Sequence, residues 1–279
     1  MDWKAFQLDA DVSHPHDWPK VSIIIPTYNC AQTISLTLES LQEQDYPDYE
    51  VIIIDSGSKD RTLEIVKTFP QESIKIFLYP SNQRYEMLNT GISHALGRYI
   101  NCLFPGDFYI SKNTLRQMMS VAIKNDYPHL VYCGTLLRDG RSQVKSLYRV
   151  LNVDLLKNGK QPTSLQSCWY RIDTFRELGK FNTHYHLRGS FDLLCRFMKH
   201  SDFRFASIYR VLTDYDLRWV TRSMIFRHFW ETGWTIKRYY GFFAAMRWLI
   251  KQKDGERFFK LWWKSVRIAF FGSERKRQL

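Results

Sequence analysis

The sequence lacks several features that would classify it quickly. No run of about 18 apolar residues occurs in the 279-residue chain, so no segment reads as a membrane-spanning helix. Residues 1–20 (MDWKAFQLDADVSHPHDWPK) have neither the basic start nor the apolar stretch of a secretory signal. They are expected to be a polar leader on a cytoplasmic protein. The five cysteines, Cys30, Cys102, Cys133, Cys168 and Cys195, are odd in number and form no C-x-x-C pair. That argues against a disulfide framework or a thiolate zinc site and for reduced thiols. There is no G-x-x-x-x-G-K-[ST], which excludes a P-loop. The turn Pro26-Thr27-Tyr28-Asn29 contains no glycine, so a dinucleotide site of the G-x-G-x-x-G type is excluded as well.

What is present alternates. Val21–Pro26 and Tyr49–Ile54 are apolar, β-branched runs of the kind found in buried parallel strands. Ile74–Tyr79 and Tyr99–Phe104 are read as two more strands. Helical spacing recurs through Ile34, Leu38 and Leu41, and over Thr62–Phe69, Met87–Leu96 and Ser111–Lys124. This βαβαβαβ order predicts an α/β fold, a mostly parallel sheet flanked by helices. Beyond it, short strands are expected at Val144–Tyr148, Leu165–Tyr170 and Phe203–Val211, with helices at Asp173–Leu178 and Ser190–Lys199. Ligands of such sheets sit beyond the carboxyl ends of the strands. Thr27, Tyr28, Asn29, Asp55, Ser56, Ser58 and Asp107 cluster at those ends, which points to a nucleotide or phosphometabolite site.

Three segments carry a resemblance. They are Pro26-Thr27-Tyr28-Asn29, the stretch EVIIIDSGSKDRT over 50–62, and Tyr85, Asn89-x-Gly91-Ile92, Ala95-x-Gly97-x-Tyr99-Ile100 with Gly106-Asp107. Together they resemble the family 2 glycosyltransferases of the GT-A (Rossmann-like) fold over about Val21 to Val211. The resemblance implies an inverting, metal-dependent transferase using a nucleotide-sugar donor, a UDP-sugar by expectation. The acceptor would be a saccharide or lipid-linked glycan. It implies a GT-A domain over 21–217, with a nucleotide-sugar half at 21–125 and an acceptor half at 126–217. Pro26, Thr27 and Tyr28 would flank the nucleoside, with Tyr28 stacked on the base. Asp55 would accept from the base edge, with Ser56 where relatives carry a second acid. Asp107 would hold Mn2+ or Mg2+, since the other acidic positions of that motif are Phe104 and Gly106. One carboxylate suffices in principle when substrate phosphates and water complete the shell. Arg84 is assigned either to the diphosphate or to a solvated surface, and Asn89 to structure.

Inversion requires a general base within reach of the acceptor hydroxyl. The family pattern D-x-D-L-x-x-R falls on Ser190-Phe191-Asp192-Leu193-Leu194-Cys195-Arg196, which places Ser190 at the usual base position. A serine hydroxyl is no base unaided, so Asp192 is the first choice, with His184, His186 and Asp173 as alternatives. Asp192 can also pair with Arg196 one helical turn on, and Ser190 can cap the helix. Loss of the usual base also leaves open a catalytically impaired relative that only binds donor or glycan.

Residues 218–279 differ in character. They carry 15 Lys and Arg against four acids, nearly all of the chain's net +12, and six of its nine Trp. Helices mixing Trp and Phe with Lys and Arg suit an anionic membrane surface. Packing on the domain is the alternative, and nucleic acid is disfavoured. The expectation is a peripheral protein on the cytoplasmic face of the inner membrane.

Overall fold

The computed structural model describes residues 18–81, 83–138, 145–218 and 221–252. The first half alternates β1 (Val21–Thr27), α1 (Ile34–Gln42), β2 (Tyr49–Asp55), α2 (Thr62–Lys67), β3 (Ile74–Leu78), α3 (Arg84–His94), β4 (Tyr99–Cys102) and α4 (Thr114–Lys124). The second half adds β5 (Leu130–Arg138), β6 (Lys145–Leu147), α5 (Val153–Lys157), β7 (Cys168–Arg171), α6 (Ile172–Leu178) and α7 (Gly189–Phe197). It ends with β8 (Phe205–Asp216), α8 (Arg222–Tyr240) and α9 (Phe242–Lys251).

β1 reads as an unbroken apolar run because helices cover both faces of the sheet. Side chains alternate between those faces. Ile24, Ile52 and Ile54 enter one core layer with Tyr85 and Phe191 of α3 and α7. Ile23, Ile25 and Ile53 enter the other with Leu38 and Met118 of α1 and α4. The sheet runs β3-β2-β1-β4-β7-β5-β6, with β8 also paired to β5. The chain steps outward from β1 to β3, then returns to the far side of β1 as β4. That reversal opens a crevice beyond the ends of β1 and β4.

The expected α/β sheet flanked by helices is present, and it is mixed because the second half departs from the mostly parallel pattern. β7 is antiparallel to both β4 and β5, and β8 is parallel to β5 with register shifts between Tyr132 and Thr135. The strand expected over Leu165–Tyr170 begins only at Cys168, and Leu165–Ser167 is a 3-10 turn. Hydroxyls explain this: Thr135 Oγ1 bonds Thr163, Ser164 and Ser167. Such side-chain bonds compete with a regular ladder. Val144 of the expected strand lies outside the described residues, as do most of residues 1–20 and all after 252. Helix α3 starts at Arg84, three residues earlier than expected, which puts Arg84 in its first turn.

Helix α8 is built into the domain, not appended to it. Ile236 is fully buried, Thr235 Oγ1 donates to Tyr185 Oη at 3.0 Å, and Tyr239 Oη donates to Asp192 Oδ1 at 2.8 Å. Glu231 accepts three backbone N–H groups, from His186 and Leu187 at 3.0 Å and Arg188 at 2.8 Å. Glu231→Gln would turn an amide N–H toward those donors. We expect it to cost about 2 kcal/mol, the scale of a lost charge-assisted bond at a buried site, read in urea melts. A cost below about 0.5 kcal/mol, ordinary for a surface change, would show that the loop holds its shape without α8.

Candidate active site

The crevice is a cleft of about 510 Å³ lined by Pro26, Thr27, Tyr28, Ser81, Arg84, Met87, Phe104 and His186. Four expected donor-site residues, Pro26, Thr27, Tyr28 and Arg84, line it directly. Tyr28 is 54% exposed, so its ring is available for stacking. Arg84 lies over the Phe104 ring at 4.9 Å, which orients the guanidinium. Arg84 also borders a second cavity of about 340 Å³ toward β5 and α8, where Ser190 and Arg188 sit.

Asp55 is placed differently from expectation. It is fully buried, and its carboxylate accepts from Gly57 N, Ser58 N, Ser58 Oγ and Thr27 Oγ1 at 2.6–2.9 Å. A carboxylate offers about four lone-pair sites, so its capacity is filled. In this arrangement Asp55 organises the loop, and Thr27, which donates to it, lines the cleft. Ser56 Oγ donates to the Ser81 carbonyl at 2.6 Å and ties this loop to the cleft wall. Asn29, with φ of 46°, takes the left-handed conformation that Asn tolerates, and its Oδ1 accepts from Lys59 N at 2.8 Å.

Asp107 is likewise turned inward. It is 2% exposed, with Oδ1 accepting from Asp216 N at 2.9 Å and Oδ2 from Gln166 Nε2. Asp214 is held by Arg138 at 2.8 Å, and Asp216 by Arg218 at 2.7 Å. Among the described residues no group of three His, Cys, Asp or Glu side chains could hold a metal ion. A cation shared with a diphosphate needs at least one carboxylate oxygen facing the cleft. Asp107 presents none, so the residues as arranged do not fit Mn2+ or Mg2+. The glycine before it has its own reason: Gly106 has φ of 99°, which a side chain would strain.

Burial raises the Asp107 carboxyl from 3.8 to about 7, and the charges of Asp214 and Asp216 push the same way. The folded chain therefore holds one more proton than the unfolded chain between those values. Stability contributed at Asp107 is lost as pH rises through that window. Asp107→Asn, which stays uncharged, should lose less stability than the parent between pH 5 and pH 8 in urea melts. Equal losses would contradict this account.

Asp192, the first choice of base, is also turned inward. It is fully buried, pairing with Arg196 Nε at 3.0 Å and accepting from Tyr239 Oη. Neither cavity reaches it. Ser190 does line the second cavity, with its Oγ accepting from Gln161 Nε2 at 3.2 Å, but α7 starts at Gly189, so Ser190 does not cap it. Of the alternatives, Asp173 pairs with Arg171 and Arg176 on the surface, and His184 contacts Asn182. His186 alone among them lines the cleft. Asn89 is structural, bonding Phe181 through both side-chain atoms. Sequence inspection missed Gln166, Arg138 and Glu231, because each acts through a partner remote in the chain.

The profile of the family described as "Glycosyl transferase family 2" matches residues 22–200. A PGL/p-HBAD biosynthesis glycosyltransferase of Mycobacterium bovis is 25% identical over 181 residues, covering 64% of this chain and 69% of that protein. An uncharacterised glycosyltransferase of Rickettsia prowazekii is 31% identical over 203 residues, covering 68% and 61%. Among solved structures, S. aureus TarS 1–349 in complex with UDP superposes with a TM-score of 0.62 at 19% identity, covering 79% of this chain and 66% of that one. The chain thus spans roughly two-thirds of the length of these proteins. With its mixed α/β sheet and the profile match across residues 22–200, the chain belongs to glycosyl transferase family 2.

Proposed function

We propose that the protein transfers a hexosyl or N-acetylhexosaminyl group from a UDP-sugar to a hydroxyl of a saccharide or lipid-linked glycan, with inversion. The process served would be assembly of a polysaccharide or cell-envelope glycan. The observation that carries this is the pair of cavities meeting at Arg84, one with the features of a donor cleft and one free for an acceptor. In support, TarS of the same fold was solved with UDP, and the mycobacterial relative is named a PGL/p-HBAD biosynthesis glycosyltransferase. Tyr28 would stack on the base and Arg84 would meet the diphosphate. The acceptor oxygen bonds to the anomeric carbon as the bond to UDP breaks. His186, which lines the cleft, takes the hydroxyl proton on an imidazole nitrogen. Arg84 meets the charge developing on the departing UDP.

Calorimetry with UDP and GDP, and hydrolysis assays with UDP-glucose, UDP-galactose and UDP-N-acetylglucosamine, test this. Absence of both UDP binding and UDP-sugar turnover would sink it. Since Asp107 turns inward, UDP affinity in EDTA should stay within about threefold of that in Mn2+, well under the loss expected for removing a direct charge contact. A greater loss in EDTA would return the divalent cation to the site. A second reading, a relative that binds donor without efficient transfer, is favoured by the sealed Asp192 and by Ser190 at the usual base position. UDP binding with no turnover on any donor would select it.

Membrane docking is proposed for the described part of 218–279. Trp230 and Trp234, one turn apart on α8, and Phe243 and Ile250 on α9 are exposed beside Arg227, Lys237 and Arg247. No helix among the described residues is long and apolar enough to cross a membrane. Deleting the segment would remove Glu231 and disturb the site, so substitution is the better test. Trp230→Ser with Trp234→Ser should cut flotation with anionic liposomes at least tenfold, about 0.8 kcal/mol or more being lost per ring. Unchanged flotation would remove these rings from the account.

A further inference from the structure

Among the described residues the second cavity is lined by Arg84, Arg149, Lys160, Arg188 and His228, and by no carboxylate. Arg188 is the unusual member. It is 4% exposed, yet its guanidinium meets only neutral acceptors: Nη1 donates to Gln161 Oε1 at 2.5 Å and Nη2 to the Gly159 carbonyl at 2.8 Å. Its Nε has no hydrogen-bond partner among the described residues. The group lies over the Phe191 ring at 4.0 Å.

Elsewhere the fold pairs its inward-facing arginines, Arg138 with Asp214 and Arg196 with Asp192. Glu231 is near enough to favour the Arg188 charge, but its two oxygens already accept from three backbone N–H groups. Burial pulls the Arg188 guanidinium down to about 10, so its charge is held against desolvation. A buried cation without a carboxylate is costly unless something supplies the counter-charge. Its position on a cavity wall means a ligand can do so. Leu137, Leu147, Leu165 and Tyr215 add apolar surface, which strengthens a charge contact made beside them, and Gln161, Ser164 and Ser190 add neutral hydrogen-bonding groups.

We propose that this cavity receives an acceptor carrying an oxyanion, a phosphate or a carboxylate, held by Arg188 from inside and by Arg149 and Lys160 at the rim. The inference rests on the glycosyl-transfer reading for its use of the word acceptor, while the anion site itself stands on the cavity. Arg149 and Lys160 are exposed, so they can be changed without opening the core. The acceptor hydroxyl would then lie near Arg84, where the two cavities meet.

Calorimetry on the full chain, with and without saturating UDP, can compare glucose, glucose 6-phosphate and glucuronate. One or both charged sugars should bind about tenfold tighter than glucose, the scale of one charge-assisted bond. Which of them binds better separates phosphate from carboxylate. Arg188→Gln should erase the advantage, and the double variant Arg149→Gln with Lys160→Gln, whose fold should be unaffected, should reduce it several-fold. Equal or undetectable binding of all three sugars while UDP still binds would overturn the proposal and leave the transferase reading intact. An advantage that survives in both variants would overturn it too. Charged-sugar binding lost in the variants, in a protein that never binds UDP, would uphold the anion site and sink the transferase reading.

Discussion

Arg84→Ala should weaken UDP binding about 30-fold or more, the scale of removing one partner of a desolvated charge contact. Transfer should fall further, because Arg84 borders both cavities and faces charge that grows as UDP departs. The first turn of α3 adds unsatisfied N–H groups beside it, which favour negative charge. Arg84→Lys should recover only part of the loss, since an ammonium cannot reproduce a planar fork resting on Phe104. Calorimetry with UDP, together with kcat and KM for the donor, measures both effects. An alanine variant with parental UDP affinity would move the diphosphate away from Arg84 and return that residue to a surface role.

His186→Asn should behave in the opposite way. kcat should drop about 100-fold or more, the contribution typical of general-base catalysis, with UDP affinity within twofold of the parent. Asp192→Asn should leave kcat within about threefold of the parent and lower stability instead, because it breaks a buried pair with Arg196 and Tyr239. If Asp192→Asn abolishes turnover in a folded protein and His186→Asn does not, the base assignment reverts to the helix.

The contrast between His186 and Asp192 shows what motif position leaves open. The D-x-D-L-x-x-R match puts Asp192 on α7, but a position on a helix does not say which way the side chain points. Helix α8, 47 residues further on, closes over it through Tyr239. The same helix holds the loop that carries His186 into the cleft, through Glu231, 45 residues away. The segment expected to be an appendage thus helps to build the site. Its basic and aromatic content was legible as composition, but its packing was not.

Asp55 and Asp107 divide along the same line. Apolar runs rich in β-branched residues marked β1 and β2, and the spacing of apolar residues marked the helices, because burial leaves a period that the chain carries locally. Polar residues at the strand ends then located the crevice, and Pro26, Thr27, Tyr28 and Arg84 do line it. These features the sequence determined by itself. Only the tertiary structure decided that Asp55 and Asp107 lie beneath the cleft. The Asp55 oxygens are taken by its own loop, through Gly57 and Ser58, with Thr27 added from 28 residues away. Those of Asp107 are taken by Gln166 at 59 residues' separation and Asp216 at 109. A buried carboxylate must find donors wherever the fold supplies them, and for Asp107 no local pattern records where they come from.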